Sequence, residues 1–303
     1  MFVTWWRSQR LAENPVVPSE ETMLPKFNFQ NQVNAVGGLA FLIVAGYVGW
    51  DLTKSRETPT CGSRSQVATM MSLQKPNGQP MSPAEFQARV GFGERGVVEK
   101  TLIRRGDGAQ PLVLDVALGG PHAQDSGANF FWSPSGAGKA TSACLAYSVL
   151  LPDDFDYATG GTLPGLYGES AAPANANGQS GLSTRAFWTE AGQIGVQVNL
   201  SDVAGVSAGS QPLTSLSSAS LRRGNWIPIE QEVILNSPNA KDGVLRIWID
   251  GRLKLEETSI AWRGTGGVHL MGAMIDVGYT NDANSGDKKQ TRLTLSPLRL
   301  SWQ

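Results

Sequence analysis

The sequence predicts an all-β sandwich or jelly roll behind one N-terminal apolar helix. Three observations carry that expectation. From about residue 86 to Gln303, short alternating apolar runs are separated by turn residues, and no long amphipathic helix interrupts them. Glycine makes up 35 of 303 residues and there are 9 tryptophans, a combination that suits tight turns and a β core. Near the N-terminus, one stretch stays free of charge long enough to cross a bilayer core.

That stretch runs from Phe27 to Trp50, bracketed by Lys26 and Asp51. Its first part is polar (Asn28, Gln30, Asn31, Gln32), and the apolar run is Val33–Trp50. A helix of that length is roughly 27 Å long, close to the thickness of a hydrocarbon core. Tyr47 and Trp50 lie at one end, where amphipathic rings favour the headgroup level. Residues 33–50 are therefore read as a single transmembrane helix. Gly38, Leu42, Ala45 and Gly49 share one helical face, where small residues let a second membrane helix approach. Residues 1–32 precede it, and Phe2, Val3, Trp5, Trp6 and Leu11 are suited to the membrane surface. Arg7, Arg10 and Lys26 before the helix balance Lys54, Arg56 and Arg64 after it, so charge does not set the orientation.

Residues 51–85 read as a linker, rich in Ser, Thr and Gln and marked by Pro59, Pro76, Pro80 and Pro83. Residues 86–303 form the β domain. Its candidate strands are Val97–Arg104, Pro111–Leu118, Ala143–Leu151, Thr184–Trp188, Ile194–Leu200, Ile227–Leu235, Val244–Ile249, Arg252–Glu257, Val268–Tyr279 and Thr291–Trp302. Asp250-Gly251 between two alternating runs is a hairpin signal.

Composition narrows the function. With 25 Lys+Arg against 26 Asp+Glu, the net charge of −1 gives no basic stripe, and no nucleic-acid partner is expected. Two cysteines exclude a disulfide scaffold and a four-cysteine zinc site. Cys61 and Cys144 either pair, in an oxidising compartment, or remain single thiols; the sequence leaves both open. No metal or cofactor is expected. His122 and His269 stand apart without an acidic cluster. Asp276, Asp282 and Asp287 lack calcium-loop spacing, and Gly136-Ala137-Gly138-Lys139 lacks the remainder of a phosphate loop.

One stretch goes beyond a generic sandwich. Tyr147–Leu151 leads through Pro152-Asp153-Asp154-Phe155-Asp156 into Gly160-Gly161-Thr162-Leu163-Pro164-Gly165-Leu166-Tyr167-Gly168. Ser183-Thr184-Arg185 with Trp188, then Gly224-Asn225-Trp226, then Asp242-Gly243 with Trp248-Ile249-Asp250-Gly251 follow in order. Over roughly Ala143–Gly251 this resembles polysaccharide lyase family 14 and related alginate-lyase-like proteins. The resemblance implies a β-jelly roll with a concave face that holds an acidic polysaccharide. Such a lyase removes the proton beside a uronate carboxylate and expels the glycosidic oxygen. That chemistry requires a group to neutralise the carboxylate, a base and an acid.

The family loop reads Gly-Gly-Lys-Leu-Pro-Gly-Leu, and its Lys position is Thr162 here. The family's Tyr-x-Tyr pair falls on Gln197 and Asn199. Ser183 and Arg185 are retained. The resemblance therefore implies a catalytically degenerate domain, with Ser183, Arg185, Gln197 and Asn199 as candidate carbohydrate-binding residues. Were it active, Arg185, Tyr167 and His269 would be the catalytic candidates. Three readings follow. The first is a membrane-anchored accessory or scaffolding subunit, its C-terminal domain extracytoplasmic and its partners other integral membrane subunits of an envelope or bioenergetic assembly. The second is a cell-surface carbohydrate-binding protein using Trp188, Trp226, Trp248 and Trp262. The third is an active alginate or glucuronan lyase.

Overall fold

A computed structural model of the chain describes residues 58–64, 68–97, 100–106, 112–119, 126–157, 160–168, 181–200, 209–264, 268–280 and 290–303. The expected transmembrane helix 33–50, with its packing face Gly38, Leu42, Ala45 and Gly49, lies outside these residues, as does segment 1–32. Among the described residues, no helix is long and apolar enough to cross a membrane.

Two antiparallel sheets make the sandwich. The strands of the first are β1 (Ala68–Met70), β3 (Thr101–Arg105), β4 (Leu112–Leu118), β6 (Ser142–Leu150), β12 (Trp226–Ile234), β13 (Gly243–Ile249), β14 (Arg252–Ile260), β16 (Thr291–Leu295) and β17 (Arg299–Trp302). Their order is β14-β13-β12-β6-β16-β4-β3, with β17 beside β6 and β1 beside β17. The second sheet contains β2 (Gly91–Gly96), β5 (Ala128–Trp132), β7 (Gly161–Thr162), β8 (Gly165–Gly168), β9 (Ser183–Trp188), β10 (Gln193–Leu200), β11 (Gly209–Ser220) and β15 (Leu270–Tyr279). Its order is β11-β10-β9-β7-β15-β5-β2, and β8 also bridges β9 and β15. The architecture is an all-β sandwich of the jelly-roll kind.

Alternation explains the packing. On β9 the residues Thr184, Ala186 and Trp188 are buried while Ser183, Arg185 and Phe187 are half-buried on the outer face. On β10, Ile194, Val196 and Val198 point inward. Facing them from the first sheet are Leu145, Tyr147, Val149, Ile227, Ile229 and Val233 in the same core. Asp250 and Gly251 take φ of 53° and 73°, so both central residues of the β13–β14 turn are left-handed, as a two-residue hairpin requires.

The segment expected as a linker, 51–85, differs over its described part. Met71, Leu73 and Met81 are buried in the core with Phe86. The short helix Pro83–Gln87 is fixed by a capping box, in which Ser82 caps the Glu85 N–H and Glu85 reaches back to the Ser82 N–H. Irregularly spaced apolar residues among prolines carry no periodic signal, yet each fills a place in the core. The expected strand Thr291–Trp302 is two strands, interrupted where Ser296-Pro297-Leu298 breaks the ladder.

Candidate functional site

Strand register assembles the candidate residues on the outer face of the second sheet. Asn199 pairs with Ser183, and Gln197 with Arg185. Asn199 Nδ2 donates to Ser183 Oγ at 3.1 Å. Tyr167 is registered with Ser183 from the other side. Thr162 pairs with both Phe187 and Gly278. Arg185, Gln197, Asn199, Ser183, Thr162 and Tyr167 thus belong to one surface. His269 sits just before β15, whose first residue Leu270 is registered with Gly168. It lies at the end of that surface, and its Nδ1 is buried without a hydrogen-bond partner.

Beneath this face a buried polar network fixes the 163–165 loop. Thr184 Oγ1 donates to Gln231 Oε1 at 3.1 Å, and Gln231 Nε2 donates to the Pro164 carbonyl at 2.8 Å. Tyr147 Oη donates to the same carbonyl at 3.1 Å. Burial pushes the Tyr147 phenol far up, so it stays a donor. Gly165 is required by close approach: a Cβ there would lie 1.4 Å from the Thr184 carbonyl oxygen.

The charge on the surface is balanced internally. An Arg185 Nη1 donates to Asp276 Oδ2 of β15, and the two side chains are only 18% and 14% exposed. Arg185 Nε is buried with no partner. Tyr167 stacks near Phe131, ring centroids 4.9 Å apart. Burial raises the Tyr167 phenol, partly offset by a hydrogen bond with Ser133, so at neutral pH it is a proton donor and not a base. Thr162 offers a hydroxyl directed at the Gly278 carbonyl.

Alternation sorts the residues of β10 by face. The outward residues of β10 are Gln193, Gly195, Gln197 and Asn199, and its inward ones are apolar. A slip of two residues along the strand therefore still brings no titratable group to this face.

Three of the four tryptophans considered for sugar stacking are buried: Trp188, Trp248 and Trp262 are exposed by at most 1%. Trp226 is half-buried and belongs to the first sheet. Asp276, grouped in the sequence with Asp282 and Asp287, serves instead as the partner of Arg185. The pairing was missed because it spans 91 residues. The usable signal was a lone acidic residue in the apolar strand Leu270–Tyr279, on its outward register.

On the opposite face, Cys61 and Cys144 form a disulfide with Cα atoms 5.8 Å apart. Both are buried with Trp248 in a small cluster outside the main core. Around it, Trp248 Nε1 donates to the Thr58 carbonyl at 2.9 Å, Gly62 N–H donates to Glu230 Oε2 at 2.8 Å, and Arg64 pairs with Glu232 at 2.8 Å. The chain entering the domain is thereby strapped to the outer face of the first sheet.

Similarity to solved structures points the same way as the topology. The crystal structure of the marine PL-14 alginate lyase from Aplysia kurodai superposes with a TM-score of 0.61 at 16% identity, covering 79% of this chain and 99% of that one. Alginate lyase vAL-1 from Chlorella virus gives 0.54 at 16% identity, covering 68% and 90%. The endo-beta-1,4-glucuronan lyase from the fungus Trichoderma reesei gives 0.51 at 12% identity, covering 67% and 87%. At these identities the likeness is one of fold. No curated protein sequence matches the chain. The sequence profile described as Polysaccharide lyase 14 matches residues 117–291, more than half of the chain and all the motifs above, and on that match the chain belongs to the polysaccharide lyase 14 family.

Proposed function

We propose that this chain is a membrane-anchored member of the family that no longer performs β-elimination. It serves as a non-catalytic accessory or scaffolding subunit of a larger membrane assembly, of the envelope or of a bioenergetic kind. The observation that carries this reading is the outward row of β10, which holds no group able to take or give a proton near neutral pH. Elimination needs a base for the proton beside the carboxylate, an acid for the leaving oxygen and a cation for the carboxylate. Thr162 and the amides of Gln197 and Asn199 supply none of these, and Arg185 is already paired with Asp276. The buried disulfide supports placing the sandwich on the extracytoplasmic side, where such bonds persist. Val33–Trp50 supplies the anchor and Gly38, Leu42, Ala45 and Gly49 its contact with other membrane subunits.

Two measurements test this. The full-length protein, incubated with alginate and with glucuronan, is expected to yield no unsaturated product by ultraviolet absorbance. Extracted in mild detergent, it is expected to migrate well above its monomer size. Accumulating product, or a lone monomer, overturns the proposal. If product forms, Arg185→Ala decides whether Arg185, with Tyr167 and His269, carries it.

A second reading, carbohydrate binding without cleavage, is favoured by the Ser183–Asn199 hydrogen bond and the Phe131–Tyr167 ring pair on one face. A glycan array blank over neutral and acidic sugars removes it.

A further inference from the structure

We propose that Asp276 is a built-in replacement for the carboxylate of an acidic sugar, closing the outer face of the second sheet to polyuronates until its charge is removed. This rests on the reading of that face as one that no longer turns over uronates, and adds which ligand class it refuses and which residue refuses it.

A guanidinium recognises a carboxylate best with two parallel N–H donors. In this structure Arg185 spends Nη1 on Asp276 Oδ2, while its Nε is buried without a partner. The fork is engaged through one arm, by the protein's own carboxylate. Both side chains are mostly withdrawn from water, at 18% and 14% exposure, so solvent screens the pair weakly. Asp276 and Arg185 come from strands separated by β7 and β8, so the ion pair spans the middle of the sheet.

The registered neighbours leave Arg185 as the attraction for an anion at this point. Gln197 faces it on β10, and Asn129 faces Asp276 on β5. Met274 and Phe131 lie one step along. None of the four carries a charge. A uronate arriving here meets a carboxylate already on Arg185, the one cation among the described registered neighbours, and like charges in a partly desolvated site repel. Discrimination then comes from a repulsive element and needs no contact of its own with the ligand. Neutralising Asp276 without changing its shape leaves a half-buried guanidinium with no counter-charge, which favours anion capture.

The experiment measures binding of alginate oligosaccharides by titration calorimetry to the full-length protein in mild detergent. Wild type, Asp276→Asn, Asp276→Ser and Arg185→Gln/Asp276→Asn are compared, with circular dichroism reporting fold. The expected result is that either single variant binds at least tenfold more tightly than wild type, that high salt abolishes the gain, and that the double variant loses it. Wild type binding as tightly as Asp276→Asn overturns the proposal, as does failure of both single variants to bind. Unfolding of both single variants overturns it too, because the pair is then structural. Unsaturated product from Asp276→Asn would sink the non-catalytic reading while leaving this one standing.

Discussion

Removing the Cys61–Cys144 disulfide offers the sharpest test of how the chain's entry is tied to the sandwich. The two cysteines are 83 residues apart in sequence. In the loop-closure account, that cross-link lowers the entropy of the unfolded chain by an amount that destabilises it by about 4.5 kcal/mol at 25 °C. The native state loses little geometry, because Met71, Leu73, Met81 and Phe86 hold the following segment in the core independently. What remains of the strap is the Trp248–Thr58 and Gly62–Glu230 hydrogen bonds and the Arg64–Glu232 pair. Arg64 is 41% exposed, so that pair adds about 0–1 kcal/mol. The Cys61→Ala/Cys144→Ala variant is therefore expected to unfold at lower guanidinium concentration, with a stability loss of roughly 2–5 kcal/mol, the usual range for native disulfides. Tryptophan fluorescence should also shift to the red before global unfolding, since Trp248 is fully buried beneath the strap. A variant within about 1 kcal/mol of wild type, with unshifted fluorescence, would refute both the entropic argument and the strap's role.

Four further outcomes follow from the structure. Gly165→Ala places a methyl 1.4 Å from the Thr184 carbonyl oxygen, so β8 and β9 must separate; a loss of roughly 4 kcal/mol or more in denaturant unfolding is expected. Gly251→Ala meets nothing within 4 Å but keeps φ at 73°, so only the left-handed penalty of about 1–2 kcal/mol applies. The Ser82 N–H first, then Lys75 and the Ser82 hydroxyl, pull the Glu85 carboxyl down to about 2. Its contribution to stability is present above its usual 4.5 and is lost as pH falls towards about 2, so Glu85→Ala should flatten the pH dependence of the unfolding midpoint across that window. Burial, with the Asp156 charge second, pushes the Tyr279 phenol up to about 12 from 10, so stability present below pH 10 is lost as pH rises towards 12. A spectrophotometric titration should show several phenols ionising late, and Tyr279→Phe should remove one of them.

The strands that bury one face were legible because burial imposes a period of two. Ser142–Leu150, Ser183–Trp188 and Gly243–Ile249 coincide closely with their expected ranges, and Asp250-Gly251 marked its turn. Strands without that pattern were not legible. β7 and β8 are short and glycine-rich, and read as loop, because their conformation is set by close contact with β9 and β15. β11 contains Pro212 and five serines and, among the described residues, pairs with β10 alone, so it carries an edge strand's weak signal. In the candidate site, the resemblance singled out Ser183, Arg185, Gln197 and Asn199, which strand register then brings to one surface. It did not reveal Asp276 as the counter-charge or Gln231 as the buried bridge. Both relations depend on which strands become neighbours, and local pattern does not encode that.

The pleat of β9 explains how this fold keeps the chemistry of its outer face separate from its core. Ser183-Thr184-Arg185 sends its middle residue inward and its outer two outward. Thr184 belongs to the network with Gln231, Pro164 and Tyr147 that fixes the loop from below. Thr162, Gln197 and Asn199 lie on the other side of the same sheet and contribute little to that network. Exchanging them alters the outer face while the core keeps its contacts; exchanging Thr184 or Gln231 strands a buried polar group. Arg185 is the exception among the outward residues. A half-buried guanidinium without a counter-charge is costly, and in this structure the sheet supplies one itself. Asp276 does so, and on the proposed reading Arg185 then serves charge balance within the sheet and not turnover.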